Sequence, residues 1–229
     1  MKNIISTFLL TALLISCNSE KTKDKTDNQS TTTETAVTDK STEKASANLK
    51  EINTDEALLA TALLAAPAES RDGCTVIGYN MAGEFVTFKK GDNDFICLVD
   101  DHNKVGFNAA CYHKSLEPFM ARGRELRLQG KNGKEIFDIR EEEIKSGKLK
   151  MGDPGSTLHI YFGAKSLYDP ATSKVDGAQW RYVVYLPFAT AESTGLPLDP
   201  KARNHPWIMD PGTHRAHIMI SPVADIEEE

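Results

Sequence analysis

Residues 75–99 read TVIGYNMAGEFVTFKKGDNDFICLV and contain three short runs of β-branched and aromatic residues. The runs cover residues 75–79, 84–88 and 95–99, and Gly, Asn and Asp residues separate them. Such runs are typical of β-strands, and the Met-Ala-Gly segment between the first two suits a hairpin loop. We therefore predict three strands in series, each paired antiparallel with the one before it, as in a meander.

Further strands are predicted in the C-terminal half of the chain. Thr157–Phe162 and Trp180–Leu186 are the strongest, because aromatic and β-branched residues are frequent in both. Trp207–Met209 and Ala216–Ile220 flank a Pro-Gly pair, which is typical of a type II turn because its third position needs a positive φ. These last two runs are therefore predicted to form a closing hairpin.

Two or three helices are expected to pack on this sheet. The first follows Thr54, a good N-cap residue, and ends at Pro67. The second runs from Ser115 to Leu128, and a third, short helix has a capping-box pattern at Asp138 and ends at Gly147. The predicted fold class is α+β, with a mainly antiparallel sheet and two or three packed helices.

The first residues of the chain have the pattern of a signal peptide. Lys2 supplies a positive charge, and residues 4–15 form an apolar stretch that is shorter than the roughly 20 residues needed to span a bilayer. The sequence Leu14-Ile15-Ser16-Cys17 resembles the bacterial lipobox. The resemblance implies that residues 1–16 are removed and that Cys17 becomes a lipidated N-terminus. We therefore expect a lipid-anchored protein of the bacterial cell envelope.

The segment after the predicted lipidation site is polar. Residues 18–47 contain no aromatic residue, so they bury too little surface to offset the entropy lost on ordering. We expect a lipidated cysteine and disordered tether over residues 17–48, one globular domain over 49–225, and an acidic tail over 226–229. Because Asn18 is not the aspartate that retains lipoproteins at the inner membrane, we expect placement at the outer membrane.

The charge balance limits the possible partners. The chain has 27 Lys and Arg residues against 33 Asp and Glu, which gives a net charge of -6. A nucleic-acid partner requires a basic surface that neutralises phosphates, so this class is excluded. The expected partners are the membrane, contacted through the lipid anchor, and a small molecule or another envelope component. The sequence indicates no particular cofactor.

Three of the four cysteines remain once Cys17 is assigned to the lipid. The envelope favours disulfides, and a bond between Cys97 and Cys111 would close a loop of about 15 residues, worth roughly 3 kcal/mol in the chain-entropy model. We predict this pair. Two alternatives remain open, namely a bond that includes Cys74 and a set of three free thiols. Cys74 alone would suit a small buried position.

Several short motifs occur in a fixed order along the domain. They are Cys74-Thr75-Val76, Lys89 to Cys97, Cys111, Thr194 to Pro197, Pro206 to Met209 and Pro211 to Met219. This order resembles a group of uncharacterised secreted bacterial proteins, over about residues 66–222. The resemblance implies an exported single domain with cysteines at positions 97 and 111, and it implies no activity.

The candidates for a catalytic site are His113, Glu117 and His217, with His214 close to the last. A metal site requires three or four such groups to converge. Their spacing does not ensure this, because His113 precedes the predicted helix, and residues three apart in a strand point to opposite faces. No His-Glu-x-x-His pattern is present, so a metal is not expected. A metal-dependent hydrolase or another His/Glu-based enzyme remains the alternative function.

The candidates for binding a small molecule are arginines and aromatic residues. Arg122 and Arg124, followed by Arg127, could hold a carboxylate or phosphate, and Tyr161 and Trp180 could line a groove. The alternatives are a solvated helix face for the arginines and core positions for the aromatic residues. The preferred function is a non-catalytic, lipid-anchored envelope module that binds a ligand. A purely structural envelope protein would show no response to ligands.

Overall fold

The structure is a computed structural model, and it describes residues 48–202 and 204–221. These residues all belong to one unit of the chain. The predicted signal peptide, Cys17, nearly all of the predicted tether and the acidic tail lie outside the described residues. No helix within the described residues combines the length and apolar character needed to cross a bilayer.

The strands form one large sheet and one small one. They are β1 Lys50–Glu51, β2 Thr75–Tyr79, β3 Phe85–Lys89, β4 Phe95–Leu98, β5 Phe107–His113, β6 Thr157–Gly163, β7 Leu167–Tyr168, β8 Gln179–Tyr185, β9 Trp207–Met209 and β10 His217–Ile220. The large sheet has eight strands in the order β3-β2-β4-β5-β6-β8-β10-β9, and β1 pairs with β7. Only the β2–β4 pair is parallel. The predicted α+β class, with a mainly antiparallel sheet, is confirmed.

Three of the helices are long enough to cover the sheet. The α-helices are α1 Asp55–Leu63, α2 Glu117–Leu128, α3 Gly133–Lys145 and the short α4 Ala191–Thr194. Two 3-10 helices cover Ala68–Gly73 and Lys114–Leu116. As predicted, Thr54 caps α1, because its side chain accepts a hydrogen bond from the backbone N–H of Ala57.

The prediction of a simple meander is wrong at its third strand. β2 and β3 form the expected hairpin, but β4 pairs in parallel with β2 instead of continuing from β3. Burial explains this order, because Val76 and Cys97 are fully buried in β2 and β4, whereas Phe85 of β3 is 45% exposed. The strand with the weakest burial therefore takes the sheet edge.

The predicted helix ends are partly wrong. A 3-10 turn precedes α2, and Ser115 lies within that turn, where its N–H donates to Nδ1 of His113 (3.3 Å). α3 is capped by Asn132 instead of Asp138 and begins at Gly133, because Asn132 and Glu135 form a reciprocal capping box six residues earlier in the chain. The predicted end at Gly147 is close to the observed one, with a φ of 73° at that glycine.

Strand alternation gives the sheet two covered faces. The α1 face carries a cluster that includes Cys97, Cys111 and Tyr161, packed with side chains of α1. The opposite face, called here the α2–α3 face, carries Tyr112, Val183, Tyr185 and Met219, packed with Leu116 and Phe119 at the start of α2. Helices on both sides therefore bury the sheet, and the core has two halves.

Candidate anion-binding pocket

A cavity of about 290 Å³ opens on the α2–α3 face of the sheet. It is lined by Leu98, Phe119, Met120, Gly123, Arg124, Arg127, Ile136, Arg140, Leu158, Tyr185 and Arg215. This cavity, called here the arginine pocket, has an apolar floor and four arginines, and none of its lining residues is Asp or Glu. The lining is therefore positively charged.

Arg140, on α3, is the least compensated of these cations. Its Nη1 donates to the backbone oxygen of Phe119 (3.2 Å), and its guanidinium carbon lies 3.9 Å from the centroid of the Phe119 ring. Its Nε is buried and has no hydrogen-bond partner among the described residues. Burial, followed by repulsion from Arg215, lowers the pKa of Arg140 to about 10. An anion beside it would relieve both costs.

A glycine on α2 allows Arg140 to approach this closely. A Cβ atom at Gly123 would lie only 2.9 Å from Nη1 of Arg140. Glycine is otherwise unfavourable inside a helix by about 1 kcal/mol relative to alanine. The space above Gly123 is therefore where the guanidinium of α3 packs on α2.

The other arginines of the pocket differ in how they are paired. Nη2 of Arg124 donates to Oε1 of Glu117 (2.5 Å), and the hydroxyl of Tyr112 bonds to the same carboxylate. Nε of Arg215 lies 3.6 Å from a carboxylate oxygen of Asp210. Arg127 is exposed, and no ion pair of the described residues includes it. Arg127 and Arg140 thus supply the positive charge that remains free to meet a ligand.

A buried histidine lies behind the pocket. The His214 ring is fully buried, with the rings of Phe137 and Phe119 at centroid distances of 4.6 and 5.8 Å. Neither ring nitrogen has a hydrogen-bond partner among the described residues. Burial, followed by the charge of Arg140, lowers the pKa of His214 to about 4, so the ring is neutral at neutral pH.

A second cavity of about 440 Å³ adjoins the arginine pocket and shares Leu98, Arg124 and Arg127 with it. Its lining also includes Asp100, Asp101 and Lys104. Because charges of both signs line this cavity, it is less suited to an anion than the arginine pocket is.

Of the arginines named from the sequence, only Arg124 and Arg127 line the pocket. Arg122 instead joins the two helices, because its Nη2 lies 2.6 Å from Oε1 of Glu143 on α3, and its Nη1 lies 2.8 Å from Glu125. Its role in the structure is thus to hold α2 against α3.

The two aromatic candidates, Tyr161 and Trp180, belong to the core of the α1 face. Their rings stack at 4.5 Å, and Tyr161 is only 1% exposed. Trp180 donates from Nε1 to the backbone oxygen of Leu64 (3.0 Å), and the Tyr161 hydroxyl accepts from the backbone N–H of Val175 (3.0 Å). Tyr161 therefore has the core position weighed as the alternative, whereas Trp180 is partly buried and also lines a cavity of about 350 Å³ with His159 and Tyr182.

The structure does not bring His113, Glu117 and His217 together. His113 is on the α1 face, where Nδ1 lies 2.8 Å from the hydroxyl of Ser115. His217 is on the opposite face, with Nδ1 2.7 Å from the backbone oxygen of Arg215. Within the described residues, the only cluster with metal-ligand spacing consists of the three cysteines. The geometry therefore does not assemble the three candidates of the hydrolase alternative into one site.

The three domain cysteines have free thiols in the structure. Cys97 and Cys111 are directly opposed in the β4–β5 pair, with their Sγ atoms 2.7 Å apart. No disulfide therefore joins the cysteines of the described residues, and the predicted Cys97–Cys111 bond stays a prediction. Cys74 occupies the small buried position expected for it.

Sequence reasoning missed Arg140 and Arg215 as pocket residues. Arg140 is followed by three glutamates, a pattern that suggests a paired cation. Two of these glutamates form ion pairs with other residues, Glu141 with Lys145 and Glu143 with Arg122. The lack of a partner thus results from the packing of α2 on α3, which no local sequence signal reveals.

Similarity to known proteins does not assign a role to the pocket. The chain matches no protein-family model, no curated protein and no solved structure. The geometry and charge of the arginine pocket are therefore the features that point to a function.

Proposed function

We propose that the protein is a lipid-anchored module of the bacterial cell envelope that binds a small anionic ligand in the arginine pocket. The resemblance of the sequence around Cys17 to a lipobox supports the lipid anchor. The binding function is supported above all by one observation, a partly buried Arg140 that has no carboxylate partner among the described residues and faces other arginines.

The chemistry of the lining favours a carboxylate or phosphate group. Guanidinium groups match the geometry of these anions and can bind them through two parallel hydrogen bonds. Arg140 and Arg215 repel each other, and a bound anion would offset this unfavourable electrostatic energy. Interactions in this partly buried position are also stronger than at a fully solvated surface.

The shape of the pocket limits the ligand to a small molecule with some apolar character. Its volume of about 290 Å³ is at the lower limit of ordinary ligand pockets. Phe119, Ile136, Leu158 and Tyr185 supply an apolar floor. A short organic acid or a phosphorylated metabolite fits this combination better than a long polymer does.

The test is isothermal titration calorimetry of the full chain in detergent, which measures the affinity for two probes, inorganic phosphate and citrate. Binding should be strongest at low ionic strength, because salt screens exposed arginines such as Arg127. Arg140→Gln should weaken binding roughly tenfold or more, which is the expected effect of losing a charged hydrogen-bond donor. This variant should still fold, because it removes no ion pair.

Arg181→Gln is the matched control for this experiment. Arg181 also lies over an aromatic ring, with its guanidinium carbon 4.6 Å from the Phe162 centroid, but it does not line the arginine pocket. The control should bind both probes like the wild type. Equal binding by the wild type and Arg140→Gln would contradict the arginine pocket as the binding site. No binding by the wild type would contradict the proposed function and favour a purely structural role.

A further inference from the structure

The thiols of Cys74, Cys97 and Cys111 meet at one point in the core of the α1 face. None of the three side chains has exposed surface, and their Sγ atoms all lie within 4.8 Å of one another. Cys97 and Cys111 are opposed in the β4–β5 pair. Cys74 immediately precedes β2, the other neighbour of β4 in the sheet.

The surroundings of this cysteine triad favour sulfur–sulfur bonding over metal binding. The triad belongs to a buried apolar cluster that includes Leu58, Val76 and Tyr161. The polar groups that bond to Cys74 are uncharged, namely the backbone oxygen of Ser70 and Nδ2 of Asn93. Lys89, whose charge acts on Cys97, donates to backbone oxygens and not to a sulfur atom. Three thiolates around a divalent ion would leave a net negative charge among these side chains, and an uncompensated buried charge is costly. A disulfide is neutral and needs no such compensation.

The backbone suits a bond between Cys97 and Cys111. Opposed residues of an antiparallel pair have Cα atoms about 4.5–5.5 Å apart, which is within the range of about 4.4–6.8 Å that disulfides span. Cys74 lies near both of these sulfur atoms. The third thiol is therefore within reach of either end of the bond.

We propose that the triad shares one disulfide among three sulfur atoms, with the third cysteine acting as an exchange thiol. Oxidation of Cys97 and Cys111 releases two protons and two electrons, which reduce the S–S bond of an envelope disulfide donor to two thiols. This first step rests on the proposed envelope location. It takes place before α1 closes over the sheet, because the folded triad is buried.

The exchange step needs no further oxidant. The thiolate of Cys74 attacks Sγ of Cys97, so that a Cys74–Cys97 bond forms and the Cys97–Cys111 bond breaks. Cys111 leaves as a thiolate and takes up the proton that Cys74 lost. The exchange moves the covalent link from the β4–β5 pair to the segment that enters β2.

The pH should control the rate of this exchange. With all three thiols reduced, a hydrogen bond to Cys97 and burial raise the pKa of Cys74. The burial persists when Cys97 is part of a disulfide, so the Cys74 thiol stays protonated at neutral pH. Only the thiolate attacks a disulfide, so exchange should be slow at neutral pH and faster as the pH rises. In incubations of equal length, bonds to Cys74 should therefore accumulate more at alkaline pH.

The experiment uses the full chain purified from bacterial membranes and incubated at about pH 6 or about pH 9 before an acid quench, which stops exchange. Free thiols are then trapped with maleimide in denaturant, and disulfides are assigned by peptide mass mapping. The wild type should contain one disulfide, with bonds to Cys74 several times more abundant after the alkaline incubation. Cys111→Ala should form a Cys74–Cys97 bond, and the matched variant Cys74→Ala only the Cys97–Cys111 bond.

Recovery of Cys74 as a free thiol in the wild type at both pH values would overturn the proposal, whether or not the variants fold. Stoichiometric zinc or copper with three reduced thiols would also overturn it. The same spectra report the acyl group on Cys17 and so test the compartment separately. If the chain is unacylated and reduced, refolding from denaturant with oxidised glutathione replaces the envelope donor, and the same mapping decides whether the triad exchanges.

Discussion

Single residues decide the charge of the arginine pocket. The sequence made arginines of α2 candidates for anion binding, with a solvated helix face as the alternative, and Arg124 and Arg127 line the pocket. It gave no sign that Arg140 lacks a carboxylate, because that depends on which partners its neighbouring glutamates take in the folded chain. Residue identity predicts the type of chemistry, whereas packing determines which side chain is available for it.

Gly123→Ala should separate binding from stability. The new methyl group would lie 2.9 Å from Nη1 of Arg140 and displace the guanidinium. Helix propensity gains about 1 kcal/mol from the same change, which offsets part of the disturbance. We therefore expect weaker phosphate binding by calorimetry, with an unfolding free energy within about 1 kcal/mol of the wild type. Gly133→Ala, at a position open to solvent, is the control and should leave binding intact.

His214 should make the fold sensitive to acid. Its pKa of about 4 is below the roughly 6.5 of an unfolded histidine, so the unfolded chain binds more protons between these values. The unfolding free energy should therefore fall by about 3 kcal/mol as the pH falls through this window. Urea unfolding at several pH values measures this fall. His214→Phe should remove most of it, since neither ring nitrogen has a partner to lose. If the unfolding free energy of His214→Phe falls with pH as much as that of the wild type, groups other than His214 cause the acid sensitivity.

The secondary-structure elements were predictable in type but less so in position. Runs of β-branched and aromatic residues predicted most strands of the large sheet but not the central strand β5, and Thr54 marked the start of α1 correctly. The position of β4 beside β2 could not be predicted, because alternation fixes which face a residue occupies and not which strand is its neighbour. The start of α3 was missed because a second capping box, at Asn132, precedes the one expected at Asp138.

Asn132→Ala should weaken α3, the helix that carries Arg140. The Asn132 side chain accepts a hydrogen bond from the backbone N–H of Glu135 (3.0 Å), and loss of such a cap costs about 1 kcal/mol. We expect a decrease of about this size in the unfolding free energy measured by urea titration. Asn103→Ala, in an exposed loop outside the helices, is the control and should change it little. Equal effects of the two changes would show that the cap contributes nothing specific.

At the scale of the whole molecule, the site is assembled from distant parts of the sequence. The arginine pocket combines residues of α2, α3 and the turn before β10, and local patterns cannot predict which of them meet. The same long-range arrangement separates His113 from His217 across the sheet. The net charge of -6 likewise gives no indication of a positive pocket, because it averages over the surface.

Cys17→Ala should release the protein from the membrane. Two or three acyl chains anchor a protein firmly, whereas none leaves only the weak affinity of the chain itself. Fractionation of cells should find the wild type in membranes and the variant in the soluble fraction. The intact mass of the variant should lack the acyl groups that the wild type carries. Cys74→Ala, which leaves the lipobox unchanged, is the control and should stay in membranes. A wild-type chain that retains residues 1–16 would refute the predicted anchor.

The hydrogen bond from Trp180 to the backbone oxygen of Leu64 joins groups 116 residues apart. At a synthesis rate of about 5–20 residues per second, the tryptophan follows the leucine out of the ribosome by roughly 6–23 s. During that interval the end of α1 lacks its indole donor, and β8 is not yet available to complete the sheet beneath it. The N-terminal third of the domain therefore cannot complete its packing until β8, a strand synthesised late in translation, has left the ribosome.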